Sequence, residues 1–220
     1  MKAFIAILGL VAGPAHAGEF TAMAGPSWFG HADDGTYWNK TQEHSIELTK
    51  SAFAVRYDTD AGAHGFKLGF QYTEFGTAKM DAQASSRDAP DPGGYDPHTG
   101  ACVGGVCAPN HNYVADSRAR STALLLSKDF GNWTVEGGVH FFDINTNVVV
   151  KGSCLTSGCG TAWSYSHTTE DFGPVVGLAY HYGPWVGRLQ HWALEGRAPL
   201  PTIYTGWTTT LMIGYTKEFK

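Results

Sequence analysis

The residues of this chain with the clearest chemical potential are its ten histidines, some of which lie near serines and an aspartate. The two candidate groups are Ser164 and Ser166 with His167, and Asp116 and Ser117 with His111. A serine nucleophile needs a base within hydrogen-bonding distance. Residues an odd number of positions apart in a strand face opposite sides, so Ser164 and Ser166 diverge from His167. The sequence therefore predicts no catalytic residue.

The four cysteines form a second chemical pattern, with two identical spacings, Cys102-x4-Cys107 and Cys154-x4-Cys159. Either each pair forms a local disulfide, or all four thiolates hold one metal ion. Thiolate metal sites more often have two-residue gaps, and an exported chain meets an oxidising compartment. We predict disulfides Cys102–Cys107 and Cys154–Cys159, with the metal site as the alternative. Short loops gain little chain entropy from a bridge, so the disulfides would stiffen the loops.

The N-terminus has the features of a cleavable export signal. Met1-Lys2 gives a positive start, an apolar run follows to Val11, and Ala15-His16-Ala17 is a small-x-small cleavage site. We therefore predict a signal peptide over residues 1–17 and one mature domain over residues 18–220.

Composition limits what the mature domain can be. Removing Lys2 leaves 14 basic against 20 acidic residues, a net charge of −6, and no basic cluster suits a nucleic acid. Beyond the signal, no apolar stretch approaches the roughly 20 residues that a spanning helix needs. The high aromatic content of 13% and the 28 glycines favour strands and tight turns. If this domain crosses a membrane, it must do so as a closed barrel.

Alternation and turn residues predict eight β-strands. The candidates run near 19–29, 45–57, 65–75, 113–127, 133–150, 163–182, 185–194 and 203–219. The last strand shows the pattern clearly, because Leu211, Ile213 and Tyr215 share one face while Thr210 and Gly214 share the other. Such a pairing of an apolar with a polar face is typical of a transmembrane β-barrel.

The second strand is less regular. Ile46 and Leu48 have one parity, whereas Phe53 and Val55 have the other. A β-bulge near Lys50 would bring both pairs to one face, because a bulge inserts one extra residue.

The connections between the strands alternate in length. Short turns at 58–64, 128–132 and 183–184 follow the even strands. Longer loops near 31–44, 79–112, 151–162 and 195–202 follow the odd strands and contain all four cysteines. Short turns on one rim and long loops on the other are typical of outer-membrane barrels. This parity predicts that both chain termini lie on the short-turn, periplasmic side.

Aromatic residues cluster near the short-turn rim. The strongest candidates are Trp133, Tyr182, Trp185 and Tyr215. Amphipathic rings prefer the boundary between lipid and water, so we predict an aromatic girdle there.

Polar residues on the second faces of the strands define a candidate interior. The inward candidates are Lys67, Gln71, Glu136, His140, Arg188 and Gln190. Buried charges need partners, so Lys67, Glu136 and Arg188 are predicted to form a buried network. The network would either line a narrow ion path or plug the lumen. An eight-stranded lumen is just wide enough for side chains to fill, which favours the plug.

In these features the chain resembles the small eight-stranded outer-membrane barrels of Gram-negative bacteria, the OmpA/OmpX-like group. The resemblance covers residues 19–219 in pattern. Barrels of this group commonly end in a phenylalanine preceded by alternate apolar residues, which the assembly machinery recognises. Phe219 matches, although Lys217 interrupts the apolar series and Lys220 follows the aromatic residue. The resemblance thus implies that Phe219 is the assembly signal, and it carries over no catalytic residue.

We therefore expect an all-β protein, an eight-stranded antiparallel up-and-down transmembrane β-barrel in the bacterial outer membrane. Its stiffened extracellular loops would bind an unknown extracellular ligand without catalysis, and the barrel would support envelope integrity. The expected partners are outer-membrane lipids, lipopolysaccharide and the barrel assembly machinery. No nucleic acid, cofactor or metal is expected.

Three alternatives compete with this hypothesis. Some eight-stranded outer-membrane barrels are lipid A acyl hydrolases or acyltransferases, and the histidines keep that possibility open. A narrow pore is the second alternative. The third is a soluble lipocalin-like barrel that binds an apolar ligand inside, with its apolar face turned inward.

Overall fold

The computed structural model of the protein describes residues 18–30, 43–47, 49–59, 62, 64–85, 93–95, 102–104, 107–154, 162–194 and 207–219. Every regular element within these ranges is a β-strand. These ranges contain no helix long and apolar enough to cross a membrane. The predicted signal peptide, Cys159 and most of the predicted loops near 31–44 and 195–202 lie outside the described residues.

Eleven strands are described. They are β1 (Gly18–Phe29), β2 (Glu43–Glu47), β3 (Thr49–Thr59), β4 (Phe66–Ser85), β5 (Gly93–Tyr95), β6 (Cys102–Gly104), β7 (Cys107–Phe130), β8 (Trp133–Cys154), β9 (Ala162–Tyr182), β10 (Trp185–Ala193) and β11 (Trp207–Phe219). The main sheet runs β4-β3-β1-β11-β10-β9-β8-β7, and β7 pairs with β4 to close it. Strand β2 pairs with residues 79–83 of β4, and β5 and β6 form a separate two-stranded sheet.

All neighbouring strands of the barrel are antiparallel and follow each other along the chain, apart from the pairing of β1 with β11 that joins the two ends. The closed eight-stranded antiparallel barrel confirms the predicted fold class. It also confirms the architecture of the small outer-membrane barrel group that the sequence resembles.

One rim of the barrel is formed by tight turns. Gly131 and Gly183 each begin a two-residue turn with positive φ angles of 64° and 58°. Glycine adopts this left-handed conformation at little steric cost, which suits it to such turns. At the same rim, Gly18 pairs with Phe219, so both ends of the barrel domain lie beside the short turns.

The strands place apolar side chains on the outside of the barrel. In β11, Leu211 and Ile213 are 45% and 66% exposed, whereas Met212 between them is fully buried. Because the sheet is closed, the buried face lines the lumen and the exposed face is the outer wall. An apolar outer wall is the polarity of a membrane barrel rather than that of a lipocalin-like barrel.

Three of the strands are longer than the sequence predicts. Strand β4 continues to Ser85, β7 begins at Cys107, and β8 continues to Cys154. The predicted loops 79–112 and 151–162 are shortened accordingly. The sequence of these extensions lacks apolar alternation, but the strand pairing continues through them.

A β-bulge occurs, but not where the sequence predicts it. Strand β3 pairs with β1 in unbroken register past Lys50, which contradicts a bulge there. The register shift lies in the neighbouring β4, between Glu74 and Thr77. Gly76 in this bulge has a φ of 87°, and a Cβ there would lie 2.8 Å from the Lys50 Cβ. Glycine suits this position in β4 because it fits both the positive φ angle and the close approach of Lys50.

Candidate functional site: a sealed lumen and a charged outer boundary

The lumen nearest the short turns contains a buried ionic network centred on Glu136. Glu136 Oε2 accepts hydrogen bonds from Arg188 Nη1 at 2.7 Å and Arg56 Nη1 at 2.6 Å. Its Oε1 accepts one from Gln190 Nε2, also at 2.7 Å. Arg56 further donates to both carboxylate oxygens of Asp58 at 2.6 Å. Two arginines and two carboxylates thus balance their charges in the lumen, which is the condition for burying ions. We call these five residues the lumen network.

The structure brings together two of the three charged residues predicted for the interior. Glu136 and Arg188 are in direct contact, with side chains no more than 3% exposed. Lys67 lies apart, near the rim, where its Nζ is 3.0 Å from both Glu19 Oε1 and Asp129 Oδ2. Arg56 was not predicted from the sequence, because the irregular parity of the second strand hid which face it occupies.

Further from the short turns, packed aromatic side chains fill the lumen. Trp192 makes edge-to-face contacts with Phe75 and His140, at centroid distances of 5.3 and 5.2 Å. His140 Nε2 lies 2.8 Å from the carbonyl oxygen of Ala193 and therefore donates to it. Its Nδ1 then accepts from Ser121 Oγ at 2.8 Å. The three rings thus pack together in the lumen above the network, and both nitrogens of the imidazole have a partner.

The outer wall carries a continuous apolar belt. It comprises Phe53, Leu68, Leu124, Leu126, Val135, Val139, Phe141, Phe172, Val176, Leu178, Leu189, Leu211 and Ile213, all at least one third exposed. At the short-turn rim lie the four predicted girdle aromatics, Trp133, Tyr182, Trp185 and Tyr215, which are 49–76% exposed. Monomeric soluble proteins rarely expose an apolar surface of this extent.

Of the two histidine groups considered as catalytic candidates, the first does not form a site, and the second is described only in part. Ser166 is exposed on the outer wall, whereas the neighbouring His167 occupies the opposite parity. Ser117 is buried in the lumen and bonds to Thr146 at 2.8 Å, while Asp116 faces outward. Ser166 and His167 thus face opposite sides of the barrel wall. The side chain of His111 lies outside the described residues.

One histidine on the outer wall does contact a hydroxyl group. His191 Nδ1 lies 3.0 Å from Thr209 Oγ1, and its ring is 5.3 Å from that of Trp207. A catalytic imidazole is usually oriented by a third group such as a carboxylate. Among the described residues, the contacts of His191 include no carboxylate. The pair thus lacks the third member of a nucleophilic site.

At the end of the belt away from the short turns, the outer wall becomes charged. Arg118 forms an ion pair with Glu74, which also accepts a hydrogen bond of 2.8 Å from the Tyr72 hydroxyl group. Arg120 Nε lies 2.7 Å from both carboxylate oxygens of Asp143. These charges stand on three neighbouring strands, β4, β7 and β8, and were not recognised from the sequence. Aligning the outward-facing residues of these three strands in their register would have shown that the charges are neighbours.

The cysteines can be placed only by their backbone. Cys102 lies in β6, and Cys107 in β7 is the register partner of Cys154 in β8. Cys159 lies outside the described residues. The pairing of the thiols therefore stays a prediction.

Phe219 is the last residue of β11, and it pairs with Gly18 of β1. It is 49% exposed on the outer wall, and the Lys217 ammonium group lies 5.7 Å from its ring centroid. The lysine that interrupts the apolar series thus packs against the terminal aromatic ring instead of displacing it.

Comparison with known proteins adds likenesses of fold only. No family model and no curated protein matches the chain. One similar solved structure is Ail, the attachment invasion locus protein of Yersinia pestis, in complex with the heparin analogue sucrose octasulfate. The identity is 9% and the TM-score 0.44, over 91% of this chain and 99% of that one. Another is Neisserial surface protein A, with 12% identity and a TM-score of 0.37, over 92% and 97%.

Proposed function

We propose that this protein is a non-enzymatic integral outer-membrane barrel that acts through its extracellular surface. The observation that carries this proposal is the apolar belt around a closed barrel whose lumen holds Glu136 and its two arginines. Lipid would cover the belt and remove its apolar surface from water. A closed barrel also satisfies every backbone group within the bilayer.

The short-turn rim and both chain termini would lie in the periplasm. Trp133, Tyr182, Trp185 and Tyr215 would then form the inner aromatic girdle. The barrel assembly machinery would recognise Phe219 at this rim. The long loops and the extensions of β4, β7 and β8 would face the cell exterior.

A sealed lumen fits a structural rather than a conducting barrel. Arg56, Glu136 and Arg188 are buried and paired, and Trp192 fills the space above them. We therefore assign the barrel a role in envelope integrity. Recognition of an extracellular ligand falls to the loops, which the predicted disulfides would stiffen.

The proposal is tested by gel mobility of membrane fractions with and without boiling, followed by mass analysis of lipid A from the same cells. We expect a heat-modifiable band in the outer membrane and unaltered lipid A acylation. Removing Phe219-Lys220 should lower the inserted fraction while leaving total expression unchanged. A soluble periplasmic protein would refute the membrane location, and a lost or added acyl chain would refute the absence of catalysis.

The disulfide proposal is tested by peptide mapping of the purified, unreduced protein. We expect Cys102–Cys107 and Cys154–Cys159 bridges, with no free thiol and no bound zinc. The facing backbone positions of Cys107 and Cys154 make a bridge between these two the competing result. Opposed residues of antiparallel strands lie about 4.5–5.5 Å apart at Cα, within the range a disulfide spans. A Cys107–Cys154 peptide would overturn the local pairing.

A further inference from the structure

A polar pocket lies on the outer wall where the apolar belt ends. Its volume is about 480 Å³. The residues that line it are Thr77, Asp116, Arg118, Arg120, Asp143, Asn145 and Asn147. They come from β4, β7 and β8 and form opposed pairs such as Arg118 with Asn145 and Arg120 with Asp143. We call this the outer-boundary pocket.

The bulge in β4 helps to build this pocket. Without it, Glu74 and Thr77 would have opposite parities and face opposite sides of the sheet. The register shift between them turns both outward, so that Glu74 pairs with Arg118 and Thr77 lines the pocket beside it. Gly76 makes the shift possible through its positive φ angle.

The height of the pocket follows from counting residues along the strands. Ten positions separate Phe130 at the short-turn rim from Arg120 on β7. Ten also separate Trp133 from Asp143 on β8. A tilted transmembrane strand needs about 9–11 residues to cross the hydrocarbon core. The pocket therefore lies at the level of the outer-leaflet headgroups, directly above belt residues such as Leu124.

The pocket offers two kinds of recognition chemistry. A guanidinium group has five N–H donors, so Arg118 and Arg120 retain donors beyond those that Glu74 and Asp143 use. Such donors suit phosphate oxygens. Asp116 Oδ1 is buried without a hydrogen-bond partner among the described residues. An unpaired buried acceptor requires a donor, and a sugar hydroxyl group supplies one.

We infer that the outer-boundary pocket binds the phosphorylated sugar headgroup of an outer-leaflet glycolipid. Arg118 and Arg120 hold the phosphate, while Asp116 and the two asparagines hold the sugar hydroxyl groups. The acyl chains run down the apolar belt over Leu124. The inference rests on the proposed outer-membrane location and adds a specific site to it.

A phosphorylated glycolipid fits the pocket better than an ordinary anionic phospholipid. The lining residues carry as many carboxylates as arginines, Asp116 and Asp143 against Arg118 and Arg120. A phosphate alone gains little from carboxylates and amides, whereas sugar hydroxyl groups donate to both. The mixture of groups thus matches a headgroup that carries phosphate and sugar together.

The test is a titration of the folded protein in detergent micelles, with binding measured by native mass spectrometry. The probes are lipid A with two phosphates, fully dephosphorylated lipid A, and phosphatidylglycerol. We expect bisphosphorylated lipid A to bind at least about tenfold more tightly than either of the others. Dephosphorylated lipid A loses the charge-assisted hydrogen bonds to the arginines, and phosphatidylglycerol loses the contacts of the sugar hydroxyl groups. This comparison uses the wild-type protein and needs no variant to fold.

Variants then localise the site. The double change Arg118→Gln/Arg120→Gln should weaken binding of bisphosphorylated lipid A about tenfold. The matched control Lys128→Gln/Lys217→Gln removes two cations at the opposite rim and should leave binding unchanged. Asp116→Ala should weaken lipid A binding without changing the binding of phosphatidylglycerol. Heat-modifiable migration shows that each variant is folded.

Equal affinity for phosphatidylglycerol and lipid A would overturn the sugar-specific site. Wild-type affinity in the folded Arg118→Gln/Arg120→Gln variant would overturn its location. Either result leaves the membrane barrel intact, since heat modification and fractionation report on that separately. A protein found soluble in the periplasm would instead refute the proposed function itself.

Discussion

The barrel has two contiguous halves that share a belt but differ above it. Strands β4, β7, β8 and β9, the long half, have 20, 24, 22 and 21 residues. Strands β1, β3, β10 and β11, the short half, have 12, 11, 9 and 13. The described strands of the short half end near the exposed Trp28 and Trp207. Those of the long half continue through the ion pairs of Arg118 and Arg120.

Under the proposed function, the difference separates the part of the barrel that only spans the membrane from the part that also binds a ligand. About ten residues are enough to cross the bilayer, and the described strands of the short half have little more. The long half carries an additional polar surface supported by continuous strand pairing, which holds its side chains more rigidly than a loop would. The lumen network joins the halves, because Glu136 belongs to the long half and Arg56 and Arg188 belong to the short half.

The largest loss of stability is expected from breaking the lumen network, which joins the two halves. Glu136→Ala leaves Arg56 and Arg188 buried beside each other without their shared carboxylate. Removing one partner of a buried ion pair costs about 3–5 kcal/mol of the free energy of unfolding. Urea unfolding of the protein in lipid vesicles, followed by tryptophan fluorescence, measures this loss.

The matched control for this change is Glu218→Gln, which alters an exposed carboxylate at the same rim. We expect a change within about 0.5 kcal/mol there. If Glu136→Ala proved as stable as the control, the two halves would not depend on the network.

An intermediate effect is expected when a charge is placed at different heights on the outer wall. Leu211→Arg puts a cation in the middle of the belt, four positions from Tyr215, and should cost about 2–4 kcal/mol. Asn147→Arg adds the same side chain above the belt and should cost nearly nothing. The same urea titration in vesicles compares the two variants. Equal stability of the two would contradict the position assigned to the belt.

The sequence predicted the barrel because its signals are local. Three signals depend only on near neighbours along the chain. They are the alternation in β11, the turns at Gly131 and Gly183, and the aromatic residues at the strand ends. The eight strands followed from alternation and the turns between them. The contact of Glu136 with Arg188 followed from their inward parity and from the need of buried charges for partners.

The remaining features depend on register, which a single sequence does not reveal. Arg56 joined the lumen network unnoticed because the parity of its strand was ambiguous. The bulge lies in β4, where Gly76 adopts the positive φ angle, and not near Lys50 in β3. Strands β4, β7 and β8 exceeded prediction because the sequence of their extensions lacks apolar alternation, while the backbone pairing continues.

The smallest effect is expected from the ion pairs of the long half. Glu74→Gln removes the partner of Arg118, but the Glu74 and Arg118 side chains are 32% and 58% exposed. Solvent screens such a pair, so the free energy of unfolding should fall by no more than about 1 kcal/mol. The same vesicle assay measures this change beside that of Glu136→Ala. A loss as large as that of Glu136→Ala would mean that the charged outer boundary holds the barrel together. It would then be a structural junction like the lumen network, rather than a surface free to bind a ligand.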